Sequence, residues 1–479
     1  MQQNKKELQT RICPVSRKCG GCQLMNMTYP EQLKFKQAKV QKLLSAFHKI
    51  NPIIGMENPF HYRNKVQAAF GRTRGGEIIS GVYQSSTHNI VKTDFCLIED
   101  KKADEIILTV RRLIKSFKLT VYDEKNGRGF LRHVLVKRGF STGEIMVVLV
   151  TGTSNFPSKN AFVSTLLESH PEITTIVQNI NNKFTSMVLG EREIVLFGKG
   201  YIEDLLCGFR FRISPASFYQ INPVQTEILY GKAVEYAALT GSERVIDAYC
   251  GIGTIGIVAS KNAGEVIGCE VNADAVRDAK KNAKINGIEN IKFFCADAGE
   301  FMLGMKEHNE KCDVLFMDPP RAGSDRRFLS SAVYLAPEKI VYISCNPETQ
   351  QRDLYFLIKN GYKVKKIQPV DMFPYTAHVE TVVQLVRKNP DTHIDFEINL
   401  DEFDLTASEA KATYQEIKDY VLDKFGLKVS TLYISQVKTK CGIIERENYN
   451  KGEGKSRVPQ CPPEKEKAII NALKHFKMI

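Results

Sequence analysis

The 479-residue sequence lacks any run approaching the roughly 18 uninterrupted apolar residues that a membrane span needs. Its first residues, Met1-Gln2-Gln3-Asn4-Lys5-Lys6, have no apolar stretch behind them, so no secretory leader is expected. Acidic side chains are in short supply. Asp and Glu total 54 against 67 Lys and Arg, a formal net charge of +13. The expectation is therefore a cytoplasmic protein with no membrane partner. Its basic surplus suits a polyanion, nucleic acid before lipid, because no amphipathic anchor stands out. Apolar content of 43% and charged content of 25% fit a globular chain of several domains. In a reducing compartment, Cys207, Cys250, Cys269, Cys295 and Cys312, each alone in an apolar run, read as core thiols rather than disulfides.

What is present begins with a different cysteine group. Cys13, Cys19 and Cys22 fall within ten residues, and Gly20-Gly21 lets the backbone fold tightly around a shared centre. Cys96 is the best fourth ligand outside the later sheet. Zinc and a four-iron, four-sulfur (4Fe-4S) cluster both suit four thiolates, and one CxxC with two outlying cysteines leans towards the cluster. From Pro30 to Ile50, Leu33, Val40, Leu43, Leu44 and Phe47 among lysines predict a basic amphipathic helix. The region from Phe60 to Val150 reads as strands around a helix near Asp100 to Phe117. Tyr62, Arg63, Lys65, Phe70, Arg72 and Arg74 interleave cations with aromatics there, which predicts an RNA-facing surface.

Residues 213–390 alternate strands and helices, the pattern of an α/β sheet. Asp247-Ala-Tyr249-Cys250-Gly251-Ile-Gly253 is a strand end followed by a glycine-rich turn. The next strand ends in Glu270, 19 residues after Gly251, suited to ribose hydroxyls. A carboxylate beside the turn suits the cationic end of S-adenosylmethionine better than a pyrophosphate. Asp297 is placed for an adenine contact, and Asp318-Pro319-Pro320 ends a further strand with a rigid grip suited to a base. Val341-Tyr342-Ile343-Ser344-Cys345-Asn346-Pro347 is a buried strand broken at Pro347, so Cys345 stands at a strand end, where such sheets bind ligands. On position alone that thiol is a nucleophile or a small buried hydrophobe. The strand from His378 to Leu385 follows without an intervening helix and is expected to pair antiparallel.

The four cysteines, Ser217-Phe218-Tyr219-Gln220, Asp247-Ala-Tyr249-Cys-Gly251, Asp318-Pro-Pro-Arg321, Ser344-Cys345-Asn346-Pro347 and His378-Val379-Glu380 occur in an order that resembles the RNA (uracil-C5)-methyltransferase family. The likeness spans about residues 10 to 388 and is greatest to the branch that carries a 4Fe-4S cluster and methylates 23S ribosomal RNA. It implies a Rossmann-like class I methyltransferase domain preceded by a β-rich α+β module with the cluster, acting as a monomer on RNA. It implies Cys345 as the nucleophile that adds to uracil C6 and Glu380 as the base that removes the C5 proton. Gln220, Tyr249, Gly251, Glu270, Asp318 and, more weakly, Asp297 would contact S-adenosylmethionine. Cys13, Cys19, Cys22 and Cys96 would hold the cluster. The target base would leave its stack to reach the thiol. Two departures stand out: the family's common N-terminal OB-like domain is absent, and about 90 residues follow the match.

The expected divisions are 1–50 (cysteine segment and basic helix), 51–212 (RNA-binding module), 213–390 (methyltransferase domain) and 391–479, a small α+β appendage that could grip RNA. In the last, Asp391 to Asp404 reads as β-like, Ser408 to Phe425 as helix, Ser430 to Val437 as strand and Pro463 to Phe476 as helix. Cys441 and Cys461 read as ordinary thiols. Two alternatives share the sequence features: the same chemistry on transfer RNA, and a non-catalytic RNA-binding or ribosome-assembly protein.

Overall fold

The computed structural model describes residues 13–388, apart from 85, 86, 88, 125 and 186, together with 414–441 and 461–476. Residues 1–389 form one compact unit and 390–479 another.

The first unit holds two seven-stranded sheets. The first sheet has the order β3-β2-β1-β4-β5-β6-β7. Its strands are β1 (Lys65–Arg72), β2 (Ile78–Tyr83), β3 (Ile90–Lys92), β4 (Leu131–Arg138), β5 (Ile145–Thr151), β6 (Ile173–Ile180) and β7 (Arg192–Phe197). Only the β5–β6 pair is parallel, and the helix Lys159–Ser169 makes the crossover such a pair requires. Val66, Ala68, Phe70, Val134, Val136, Val147 and Leu149 form one face, buried under that helix and Lys101–Ser116. Two strands, β8 (Ile202–Leu206) and β9 (Phe209–Ile213), form a separate antiparallel ribbon.

The second sheet has the order β12-β11-β10-β13-β14-β16-β15. It comprises β10 (Arg244–Ala248), β11 (Glu265–Glu270), β12 (Ile291–Cys295), β13 (Val314–Met317), β14 (Lys339–Ser344), β15 (Tyr362–Val370) and β16 (Glu380–Arg387). The first five are parallel and nearly continuous in Val, Ile, Leu and Phe, because helices cover both faces. The expected antiparallel strand is present: β16 enters between β14 and β15, antiparallel to both.

The expected N-terminal helix runs from Tyr29 to Leu44 and begins with a capping box, Thr28 with Glu31. It is fastened to the second sheet by a buried ion pair. Lys36 Nζ lies 2.5 Å from Asp371 Oδ1 with both side chains fully buried, and the Tyr29 hydroxyl donates to Asp371 Oδ2 at 2.8 Å. Short bridges Ile50↔Ile367 and Ile54↔Val370 continue the attachment.

The second unit corrects the expected α+β appendage. Its described residues form helices Tyr414–Phe425, Thr431–Lys440 and Pro463–His475 around Ile417, Val421, Ile434, Val437, Ile469 and Leu473. The segment read as a strand, Ser430 to Val437, lies almost wholly in the middle helix. Ile434, Val437 and Cys441 recur at three- and four-residue steps and so share one helical face, which the core covers. Cys441 and Cys461 pack in this core. The β-like stretch Asp391 to Asp404 lies outside the described residues.

Candidate active site

The expected site residues that lie on the strands of the second sheet or in the turns after them gather at one end of that sheet. The parallel strands deliver Tyr249, Glu270, Asp297 and Asp318 at or just beyond their C-terminal ends, and β14 delivers Cys345. Since β16 runs the other way, its first residue, Glu380, is at that same edge, where Ser344 pairs with Thr381.

Cys345 occupies the joint between β14 and the helix Pro347–Lys359. Asn346 has extended backbone and caps that helix, accepting from Glu348 N–H at 3.1 Å, with Pro347 at the first helical position. The cap also reaches sideways: Asn346 Nδ2 donates to the carbonyl of Arg321 at 3.2 Å. This ties the thiol's turn to the Asp-Pro-Pro-Arg turn. That second turn is pinned from below by Asp353, fully buried, which accepts from Ser324 N–H at 3.0 Å and from the Tyr342 hydroxyl at 2.7 Å. Gly323 is required there: its φ is +76°, and a Cβ would stand 2.8 Å from Asp353 Oδ2. Asp353 carried no signal in the sequence beyond a polar position on a helix, and its role becomes visible only across strands.

Four groups then share one electrostatic field. Burial, the Glu380 carboxylate and the Asp318 carboxylate push the Cys345 thiol up to about 11, against an opposing effect of Arg321. Burial raises Asp318 to about 7. Glu380, buried and with no hydrogen-bond partner among the described residues, is held well above the usual carboxylate range by desolvation and Asp318. The thiol and carboxyl expected to act together are therefore neighbours, with a cation and a second acid that were legible as a motif but had no assigned effect on the thiol.

The cofactor end is equally ordered. Glu270 Oε2 accepts from Gly251 N–H at 3.2 Å and its Oε1 from Asn272 N–H at 2.9 Å, so the carboxylate expected to meet the ribose braces the glycine turn. Tyr249 holds the left-handed conformation with φ +63°, an unusual state for a side chain of that size and one that gathers at ligand sites. Asp247 is buried; Gly256 N–H donates to its Oδ2 at 2.7 Å, while Oδ1 has no partner, and burial lifts the group to about 7. Gln220 hydrogen-bonds the buried Tyr230 hydroxyl. Asp297 caps the helix Ala298–Glu307 by accepting from Glu300 N–H at 3.0 Å, so one of its oxygens is engaged in the fold.

These features match known proteins over most of the chain. A relative from Clostridium acetobutylicum, described as an uncharacterized RNA methyltransferase, is 46% identical over 383 residues, covering 78% of this chain and 83% of the relative. One from Halalkalibacterium halodurans with the same description is 44% identical, covering 79% and 83%. The tRNA (Uracil-5-)-methyltransferase family model matches residues 189–388. The chain belongs to the RNA uracil-5-methyltransferase family. A solved member, the Pyrococcus abyssi tRNA (uracil-54, C5)-methyltransferase in complex with S-adenosyl-L-homocysteine, aligns with a TM-score of 0.65 at 31% identity, over 79% of this chain and 88% of that one. The protein is an S-adenosylmethionine-dependent RNA methyltransferase of the class I α/β fold with a β-rich N-terminal module.

Two expectations need separate treatment. Tyr62 and Phe70, proposed to stack bases, are buried at 4% and 2% exposure and belong to the core, whereas Arg72 and Arg74 are exposed. The four N-terminal thiols are neighbours in the fold. Cys13, Cys22 and Cys96 pack against one cluster with Phe60, Tyr62 and Tyr375, and burial with the neighbouring thiols Cys19 and Cys13 raises Cys22 to about 12. Yet among the described residues no group of three or more His, Cys, Asp or Glu side chains is drawn together as metal ligands. The donor set fits a metal centre; its spacing here does not close on one. Among the described residues no helix is long and apolar enough to cross a membrane.

Proposed function

We propose that the protein methylates C5 of a specific uridine in 23S rRNA, forming 5-methyluridine through a covalent adduct. The observation that carries this reading is the shared field of Cys345, Glu380 and Asp318 at one sheet edge. S-adenosylmethionine supplies the methyl group. Cys345, as thiolate, adds to C6, and the electron pair moved to C5 makes that carbon nucleophilic enough to take the methyl. Glu380 then removes the C5 proton, the C5–C6 double bond re-forms and the thiolate leaves. A carboxyl with a raised affinity for protons is suited to that step. Gln220, Tyr249, Gly251, Glu270, Asp297 and Asp318 hold the cofactor, and the rigid Asp318-Pro319-Pro320 turn grips the base beside it. RNA containing 5-fluorouridine would trap the adduct, because fluorine is not lost as a proton. Cys345→Ala is expected to abolish the trapped species, and its persistence in that variant would overturn the assignment.

Cys13, Cys19, Cys22 and Cys96 are proposed to hold a 4Fe-4S cluster, the feature that favours ribosomal RNA through its likeness to the cluster-bearing branch. Iron and acid-labile sulfide near four each per chain in anaerobically purified protein are expected, and zinc instead would overturn it. The likeness to the Pyrococcus abyssi enzyme, which acts on tRNA, favours transfer RNA as the second reading. Mass mapping of both RNA classes from a deletion strain separates the two.

A further inference from the structure

The face of the first sheet turned away from its helices carries an uncompensated cation. On β1, Val66, Ala68 and Phe70 point into the helical core, so Lys65, Gln67 and Ala69 lie on the opposite face. Across the ladder these pair with Lys137, Leu135 and His133. Leu135, Met146, Val148 and Val150 are covered, sharing a core with Tyr219 and Ile252 of the second half. That cover stops short of β1, where Gln67 is exposed and Lys65 half-buried.

The two lysines have different fates. Lys137 Nζ donates to the carbonyls of Ser214 and Ser217, both at 2.8 Å, and so grips the segment that leads into Gln220. From the other side Asp278 Oδ2 accepts from the hydroxyls of both serines, at 3.0 and 3.1 Å. Lys65 has neither a hydrogen bond nor an ion pair among the described residues, and burial together with Arg63 disfavours its charged form. Glu193 and Asp278 act on Lys137, not on Lys65. Like charges directly opposite on an antiparallel pair are destabilising, and the groups that offset the charge of Lys137 leave Lys65 without a side-chain partner among the described residues. Two same-face pairs further along, opposite Ala69, the buried His133 leaves Nδ1 without a partner.

We propose that the uncovered strip of this face binds a backbone phosphate of the substrate RNA through Lys65. The location supports a substrate role. Asn64 N–H donates to the carbonyl of Ile221 at 3.0 Å, so the strip adjoins the segment carrying Gln220 at the cofactor end of the site. A phosphate there supplies the missing negative charge, and the exposed amide of Gln67 supplies a donor beside it. The inference rests on the RNA-methyltransferase reading.

The test is Lys65→Gln in the full chain, with an RNA that the wild type methylates, using fluorescence anisotropy across a salt series. One lost phosphate contact on single-stranded RNA removes about 0.7 from the log–log salt slope, which is about a five-fold loss of affinity at about 0.1 M salt. The KM for RNA should rise more than kcat falls, S-adenosylhomocysteine affinity should be kept, and the thermal midpoint should not drop. Lys65→Arg should restore binding. Unchanged affinity and slope in folded Lys65→Gln overturn the inference alone, as does an equal loss of S-adenosylhomocysteine affinity, which marks a structural role. A wild type that methylates no uridine overturns the reading beneath it and the inference with it.

Discussion

Cys345 shows how far one side chain's chemistry depends on its neighbours. The thiolate is the proposed nucleophile, and burial with two carboxylates holds the thiol at about 11 while Arg321 pulls it down. Alkylation by iodoacetamide should therefore climb about ten-fold per pH unit through the neutral range. Removing a neighbouring anion stabilises the thiolate, so Asp318→Asn should speed alkylation at pH 8 by several-fold. Removing the cation in Arg321→Gln should slow it. A rate indifferent to both changes would show that the thiol does not sense these groups. The motifs around Cys345, Asp318 and Glu380 were legible because proline, acid and cysteine stand at strand ends in a recognisable order. Their mutual influence was not, since it depends on which strands lie side by side. Tyr62 and Phe70 illustrate the opposite error: interleaved aromatics suggested a stacking surface, but Phe70 faces the helical core of the first sheet by the strand's period of two, and Tyr62 packs beside Phe60 and Tyr375.

At the level of elements, the helix Tyr29–Leu44 is held by charge as well as by apolar contact. Lys36 and Asp371 are both fully buried, so removing one leaves the other uncompensated. Lys36→Met is expected to cost about 3–5 kcal/mol in urea denaturation, and the double change Lys36→Met with Asp371→Leu to recover much of it. A loss below about 1 kcal/mol in the single variant would show that the pair contributes little. The parallel strands were readable as continuous apolar runs, and the turnaround at His378 to Leu385 followed from the absence of a helix. The segment Ser430 to Val437 was misread because Leu, Tyr, Ile and Val favour strands locally, while Ile434 and Val437 are spaced for a helical core. Tertiary packing overrides that local preference.

On the scale of the whole chain, the second unit follows the unit that holds the candidate site. Its helices carry lysines laid over aromatic rings, Lys424 over Tyr420 and Lys465 over Tyr433, a surface chemistry suited to RNA. Ending the chain at residue 389 should weaken RNA binding and flatten its salt dependence while leaving S-adenosylhomocysteine affinity intact. Equal RNA affinity and salt slope in the shortened protein would remove the proposed role.

The reversed strand β16 also sets how Cys345 and Glu380 stand to each other. Ser344 and Thr381 are ladder partners, so the residues next to them, Cys345 and Glu380, hang from the same pair of backbones. The gap between the proposed nucleophile and base is gauged by interstrand hydrogen bonds inside a seven-stranded sheet. The two groups stand as the tips of one fork whose prongs are neighbouring strands.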